Sequence, residues 1–259
     1  MIRWRALCSY DGTDFVGWQS QAGGNAVQDV VEEAIAGILG QPVRLHAASR
    51  TDAGVHARGQ GIHFDCDWGH SAEALERAVQ TRLPDSIRLH GLRKAAEGFH
   101  ARYSATGKRY HYYLSTAPAT PFSIRYRWHL SVPEFDPDRI RPVLPALAGT
   151  HDFRAFAGKV VEQETAEKTL REPVLVCEGE RDWYLHVEGN GFLYRMVRCL
   201  AGTLVRVAAG KLAPERIAGL LEEGRRTPEV HTAPAQGLFL EEVFYPADTS
   251  EPTATGDPS

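Results

Sequence analysis

Two hydrophobic periods run along the chain. Residues 2–9 fit a strand, and the turn "YDGTDF" follows. From Ala26 to Leu39 the apolar positions are Val27, Val30, Val31, Ala34, Ile35, Ile38 and Leu39. This is the three-and-four spacing of one helix face. Asn25 is placed to cap that helix, with Gln28 three residues on, and Gly40 to end it. Residues 42–48 and 60–66 predict strands flanking the segment "SRTDAGVHARGQ". A helix is expected from Ser71 to about Leu83, stopped by Pro84, and then a strand over "SIRLHGLRKA".

The second part of the chain repeats this alternation without a clear sequence repeat. "KRYHYYL" alternates like a strand. Residues 137–147 have helical spacing at Ile140, Val143, Leu144 and Leu147, but Pro142 and Pro145 interrupt it. A helix there is expected to start late or kink. "LREPVLVCEG" and "DWYLHVEG" read as a hairpin. Phe192 to Ala209 predicts a long, largely buried helix carrying Arg195 and Arg198. Another helix is expected from Pro214 to about Leu221, and "GLFLEEVFY" is a last strand. The resulting expectation is an α+β fold of two similar halves, residues 1–100 and 101–246. Residues 247–259 are polar and Pro/Gly-rich, which predicts a disordered tail.

Composition narrows the function classes. The chain has 259 residues, 43% hydrophobic and 24% charged, as in ordinary soluble globular proteins. No apolar run approaches the roughly 18 residues of a membrane span. The start lacks the pattern of a signal peptide, so a cytoplasmic protein is expected. Cys8, Cys66, Cys177 and Cys199 form no CxxC pair. A net charge of −4 does not mark a general nucleic-acid binder. A phosphate groove, however, needs only one local basic surface. From Gly98 to Leu130 there are five basic residues (Arg102, Lys108, Arg109, Arg125 and Arg127) and no acid, interleaved with tyrosines. Cations neutralise phosphates and tyrosine faces stack on bases; the same pattern also fits a solvated surface strand.

Candidate chemistry centres on Asp52. A carboxylate gains as a nucleophile or base when it is held in place beside a cation. Arg50 and Arg58 are the neighbours in sequence, and Gly54 permits a sharp turn. An aspartate bonding its own turn is the other reading. Buried in its helix, Arg198 would need a carboxylate partner; alternatively its stem reaches back to solvent. His63, Asp65 and Asp67 alternate with apolar residues, as on a half-exposed strand, and no known ligand spacing indicates a metal. P-loop, dinucleotide and nucleophile-elbow signatures are missing.

The ordered segments "YDGTDFVGWQSQ", "AVQDVVEEAI", "SRTDAGVHARGQ", "ARYSATGKRYHYYL", "GTHDFRAF", "GNGFLYRMVRCLAGTLVRV" and "GLFLEEVFY" resemble the tRNA pseudouridine synthase A family over residues 2–246. The resemblance implies two α+β halves with joined, mainly antiparallel sheets and a cleft between them. It implies Asp52 as the essential carboxylate, paired with Arg198. Arg50 would help displace the target base, Tyr110 would stack on it, and Leu238 would pack beside it. Phe192 and Met196 would line the same region. Arg58, Arg102, Lys108 and Arg109 are candidates for the RNA backbone. The implied reaction is isomerisation of uridines 38 to 40 in the tRNA anticodon arm, without cofactor or metal, by a homodimer bridged by tRNA. A non-catalytic RNA-binding protein is the alternative, and a two-carboxylate glycosidase a more distant one.

Overall fold

The computed structural model describes residues 1–131, 135–158 and 165–246. The predicted tail therefore lies outside the described residues. The first part contains β1 (Ile2–Tyr10), α1 (Val27–Leu39), β2 (His46–Ala47), β3 (His56–Cys66), α2 (Ala72–Gln80) and β4 (Ile87–Lys94). The second contains β5 (Gly107–Ser115), β6 (Trp128–His129), β7 (Gly149–Asp152), β8 (Glu167–Leu170), β9 (Val174–Cys177) and β10 (Asp182–Gly189). It closes with α3 (Met196–Ala208), α4 (Arg216–Glu223) and β11 (Leu238–Phe244).

All strands join one sheet, mainly antiparallel, in the order β4-β1-β3-β11-β5-β10-β8-β7. The last strand enters the middle. β11 runs parallel to β3, with Phe239 opposite His56 and Leu240 opposite Ala57, and antiparallel to β5. A single strand from the end of the sequence thus links the Asp52 segment to the basic tyrosine strand. Gly59 allows this approach, since a Cβ there would lie 2.5 Å from the Glu241 carbonyl oxygen.

The local rules explain most elements. In α1, Val27, Val31, Ala34 and Ile35 are buried, and Gly40 ends the helix in the left-handed region. The expected cap differs: Asn25 has a positive φ, and its side chain donates to the Asp14 carbonyl. Asp29 instead accepts from the Ala26 N–H. Ser71 caps α2, accepting from the Ala74 N–H. The expected strand over 42–48 shrinks to His46–Ala47, whereas β3 reaches back to His56, which places Arg58 on the strand. Residues 137–139 and 141–147 form 3-10 turns where a helix was expected. Pro142 and Pro145 remove backbone donors there, yet Ile140, Val143, Leu144 and Leu147 remain buried. The hairpin is β9–β10; Leu170 belongs to β8 instead, which pairs with β7. Finally, α3 starts at Met196 rather than Phe192, because Arg195 adopts φ 60°.

Candidate active site

The Asp52 loop is fixed on three sides. Its backbone forms a β-bridge to Gly17, and the Trp18 N–H donates to the Thr51 carbonyl at 3.0 Å. Gly17 has φ 110°, and a Cβ there would lie 2.7 Å from the Thr51 carbonyl oxygen, so only glycine fits. The Thr51 hydroxyl bonds the buried Tyr10 hydroxyl at 2.8 Å. Gln60 clamps Ser49, donating to its carbonyl at 2.6 Å and accepting from its N–H at 3.1 Å. The Val55 N–H closes the turn onto the Asp52 carbonyl, and Gly54 takes φ 75°. Asp52 is therefore more than a turn residue. Its side chain is free of these bonds and points to a cation.

That cation is Arg198, whose Nη1 lies 2.6 Å from Asp52 Oδ2. Side-chain exposures are only 12% and 19%, so the pair is largely withdrawn from water. Arg198 does not reach back to solvent. Its Nε donates to the Ala233 carbonyl at 2.8 Å, and the Ala233 N–H returns a bond to the Arg198 carbonyl. The guanidinium is thus aimed before any substrate arrives. Arg195 adds a second cation, with Nε 3.4 Å from the same Oδ2 and its guanidinium over the Tyr194 ring. The sequence reading gave Arg195 no role. Its signal was present in "YRMVR", where the two arginines stand three residues apart; Arg195 adopts φ 60° just before α3, and both reach Asp52 Oδ2.

Asp52 opens onto a cleft of about 760 Å³. Arg50, Tyr110, Phe192, Met196, Leu238, Arg102 and Lys108 all line it, as does Arg195. Tyr110 is buried, its hydroxyl bonds Ser49 Oγ at 2.9 Å, and its ring meets Phe192 edge-on at 5.0 Å. Burial first, and then the nearby Asp52 charge, push the Tyr110 hydroxyl up to about 12, opposed by the Ser49 bond. It is therefore a neutral group at pH 7. Lys108 is pushed down to about 8 by burial and then by Arg102 and Lys168. Like charges crowd here, and each disfavours the charged form of the other.

Arg58 and Arg109 are not brought to this cleft. Arg58 stacks on Tyr113 and Phe239 and faces Glu241 at 3.4 Å. Arg109 pairs with Glu242 at 2.7 Å and Glu188 at 3.1 Å. Arg127 pairs with Glu178 at 2.8 Å. Residues 98–130 contain no acid, but strands distant in sequence supply the acids that neutralise these arginines. His63 departs from the half-exposed expectation as well: it is 1% exposed, beneath His46 and His100.

A continuous sheet thus carries a carboxylate–arginine pair at a basic, aromatic-lined cleft. The family described as tRNA pseudouridine synthase matches residues 6–104 and 144–246. The chain belongs to this family. Proteins named tRNA pseudouridine synthase A are 38% identical in Exiguobacterium sibiricum over 247 residues, covering 95% of this chain and 98% of that one. In Syntrophotalea carbinolica the identity is 41% over 251 residues, again 95% and 98%. In Bacillus pumilus it is 41% over 246 residues, 93% and 98%. Among solved structures, a chain of a Cbf5-Nop10-Gar1 complex matches at 13% identity with a TM-score of 0.39, covering 78% of this chain and 44% of that chain.

Proposed function

We propose that this protein converts uridine to pseudouridine in tRNA, acting on uridines 38 to 40 of the anticodon arm with Asp52 as the essential carboxylate. The observation that carries this is the Asp52–Arg198 contact of 2.6 Å inside the cleft that Tyr110 lines. The reaction breaks the glycosidic C–N bond, turns the uracil and joins its C5 to the ribose. C5 gives up its proton and N1 gains one, so the product is an isomer of the substrate and the site must hold a detached ring in place. Tyr110 and Phe192 offer ring faces and edges, and Leu238 and Met196 an apolar wall. A paired target must leave its stack at a cost of a few kcal/mol; aromatic stacking recovers about 1–3 kcal/mol.

Arg198 holds the carboxylate in position, Arg195 contributes a second positive charge, and the exposed Arg50 fills the space a displaced base vacates. Arg102 and Lys108 hold the RNA backbone. Two copies of the chain form a cytoplasmic homodimer bridged by tRNA; among the described residues no helix is long and apolar enough to cross a membrane. Base-resolution mapping of pseudouridine in tRNA incubated with the protein tests this reading. New pseudouridine in the anticodon arm is expected, and stoichiometric binding without modification would replace it with a non-catalytic RNA-binding role. Light scattering with and without tRNA tests the dimer.

A further inference from the structure

Three imidazoles that the reaction does not use meet beside the cleft. β2 and β3 place His46 opposite His63, with their rings stacked at 4.8 Å. His100 meets His63 edge-on at 4.6 Å and His46 at 5.4 Å. One ring nitrogen from each lies within 4.8 Å of the other two. His46 and His100 line the same cleft as Asp52, together with Arg44, Arg102 and Lys108.

Such a trio resembles a metal site, but its hydrogen bonds assign the protons otherwise. His63 Nδ1 accepts from the Ala101 N–H at 3.1 Å. His100 Nδ1 accepts from the N–H groups of Arg102 at 3.1 Å and Tyr103 at 3.4 Å. An Nδ1 that accepts carries no proton, so in each neutral ring the proton sits on Nε2. Metal coordination at Nε2 needs a lone pair there, and these rings present N–H instead. Burial, followed by the charges of His100, His46 and Arg3, pushes His63 down to about 4. Burial, followed by His46 and Arg3, lowers His100 as well. Both rings stay neutral at pH 7 and keep this donor arrangement. His46 and His100 share the cleft rim with Arg44, Arg102 and Lys108, cations that repel a metal ion and attract an anion.

We propose that His46 and His100, seated on the buried His63, form an anion seat that takes one phosphodiester of the tRNA backbone. Two donors at about 2.9 Å from one oxygen stand at most about 5.8 Å apart, and ring nitrogens of this cluster lie within 4.8 Å of one another. The same two Nδ1 bonds hold the turn that presents Arg102 and Tyr103, so one cluster both shapes the rim and donates to it. The seat deepens the tRNA reading and rests on it.

The test measures Kd by filter binding of anticodon-arm RNAs, each carrying one neutral methylphosphonate at a successive position. The variant is His46→Leu, which leaves both Nδ1 bonds intact. One methylphosphonate should weaken wild-type binding about tenfold, the scale of a hydrogen bond to a charged group. In His46→Leu the loss is already present, and that same methylphosphonate should then cost less than twofold. His100→Gln should lose the same position. Because a neutral His100 releases no counterion, the salt slope of His100→Gln should equal wild type, whereas Arg102→Gln should lower it by about one. If no position couples to either variant, the seat is wrong. Stoichiometric Zn²⁺ on the native protein, retained in native mass spectrometry and lost in His46→Leu, would also overturn it. These readouts need no turnover, so a protein that makes no pseudouridine but shows the coupling would refute the activity and keep the seat.

Discussion

The two faces of β5 carry nearly the same chemistry and do opposite things. Lys108 and Tyr110 face the cleft, while Arg109, His111 and Tyr113 face the other side of the sheet. On the far face every charge meets a partner: Arg109 has Glu188 and Glu242, and Glu241 accepts from Tyr113 and lies 3.4 Å from His111 Nδ1. On the cleft face, Lys108 is crowded by Arg102 and Lys168 instead. Alternate residues of one strand thus build a neutralised, load-carrying layer and a charged, receptive one. Among the described residues, the same basic types are neutralised on one face of the strand and gathered beside other cations on the other.

The largest effect should come from the cleft face. Asp52→Asn should lower pseudouridine formation roughly 10³-fold or more while tRNA Kd stays within a few fold. Normal turnover in that variant would remove the carboxylate from the chemistry. Arg198→Gln should also abolish turnover and, by leaving Asp52 uncompensated, should destabilise the fold by about 2 kcal/mol in urea titration. That is less than the ~3–5 kcal/mol of a fully buried pair, because both groups keep some exposure.

Tyr110→Ala should cost about 1–3 kcal/mol of base stacking. In Tyr110→Phe the ring remains and only the Ser49 bond is lost, so a loss as large as that of Ala would give the hydroxyl a chemical role. Lys108 supplies a pH test. Its folded value is pushed down to about 8, so its charge fades as pH rises through that value. Affinity for tRNA should fall severalfold from pH 7 to 9, and Lys108→Gln should flatten the profile. For stability the sign reverses: between the folded value and the ordinary lysine value the unfolded chain holds more protons. Unfolding free energy should therefore rise with pH across that window. The smallest effect belongs to the far face. Arg109→Gln should leave tRNA affinity within twofold and cost about 1 kcal/mol of stability, since Arg171 still covers Glu188 at 2.9 Å. A strong affinity loss there would erase the distinction between the faces.

Much of this was legible beforehand where a local rule governs. The valine–isoleucine stripe of α1, the Gly40 stop and the helix opening at Ser71 depend on neighbours within four residues. The seven ordered motifs named Asp52, Arg198, Tyr110, Arg50, Leu238, Phe192 and Met196, and the fold gathers all of them around one cleft, with Arg198 behind Asp52. Less legible were the positions that depend on a break in regularity. Arg195 looked like one more helical residue, yet it takes a φ of 60° and reaches Asp52. Pro142 and Pro145 converted a helix into 3-10 turns without exposing its apolar face. The histidine cluster had no signal at all, because His46, His63 and His100 are far apart in sequence and meet only through sheet pairing and a turn.

The sequence by itself determined the segments that fold by short-range rules, the candidate carboxylate Asp52 on its glycine-permitted turn, and the family. Charge pairing was left to the tertiary structure, except that the family resemblance already implied Arg198 beside Asp52. Asp52 found Arg198 rather than Arg50 or Arg58, and Arg109 found glutamates from β10 and β11, because ion pairs depend on distances in space, which β11 sets when it enters the middle of the sheet.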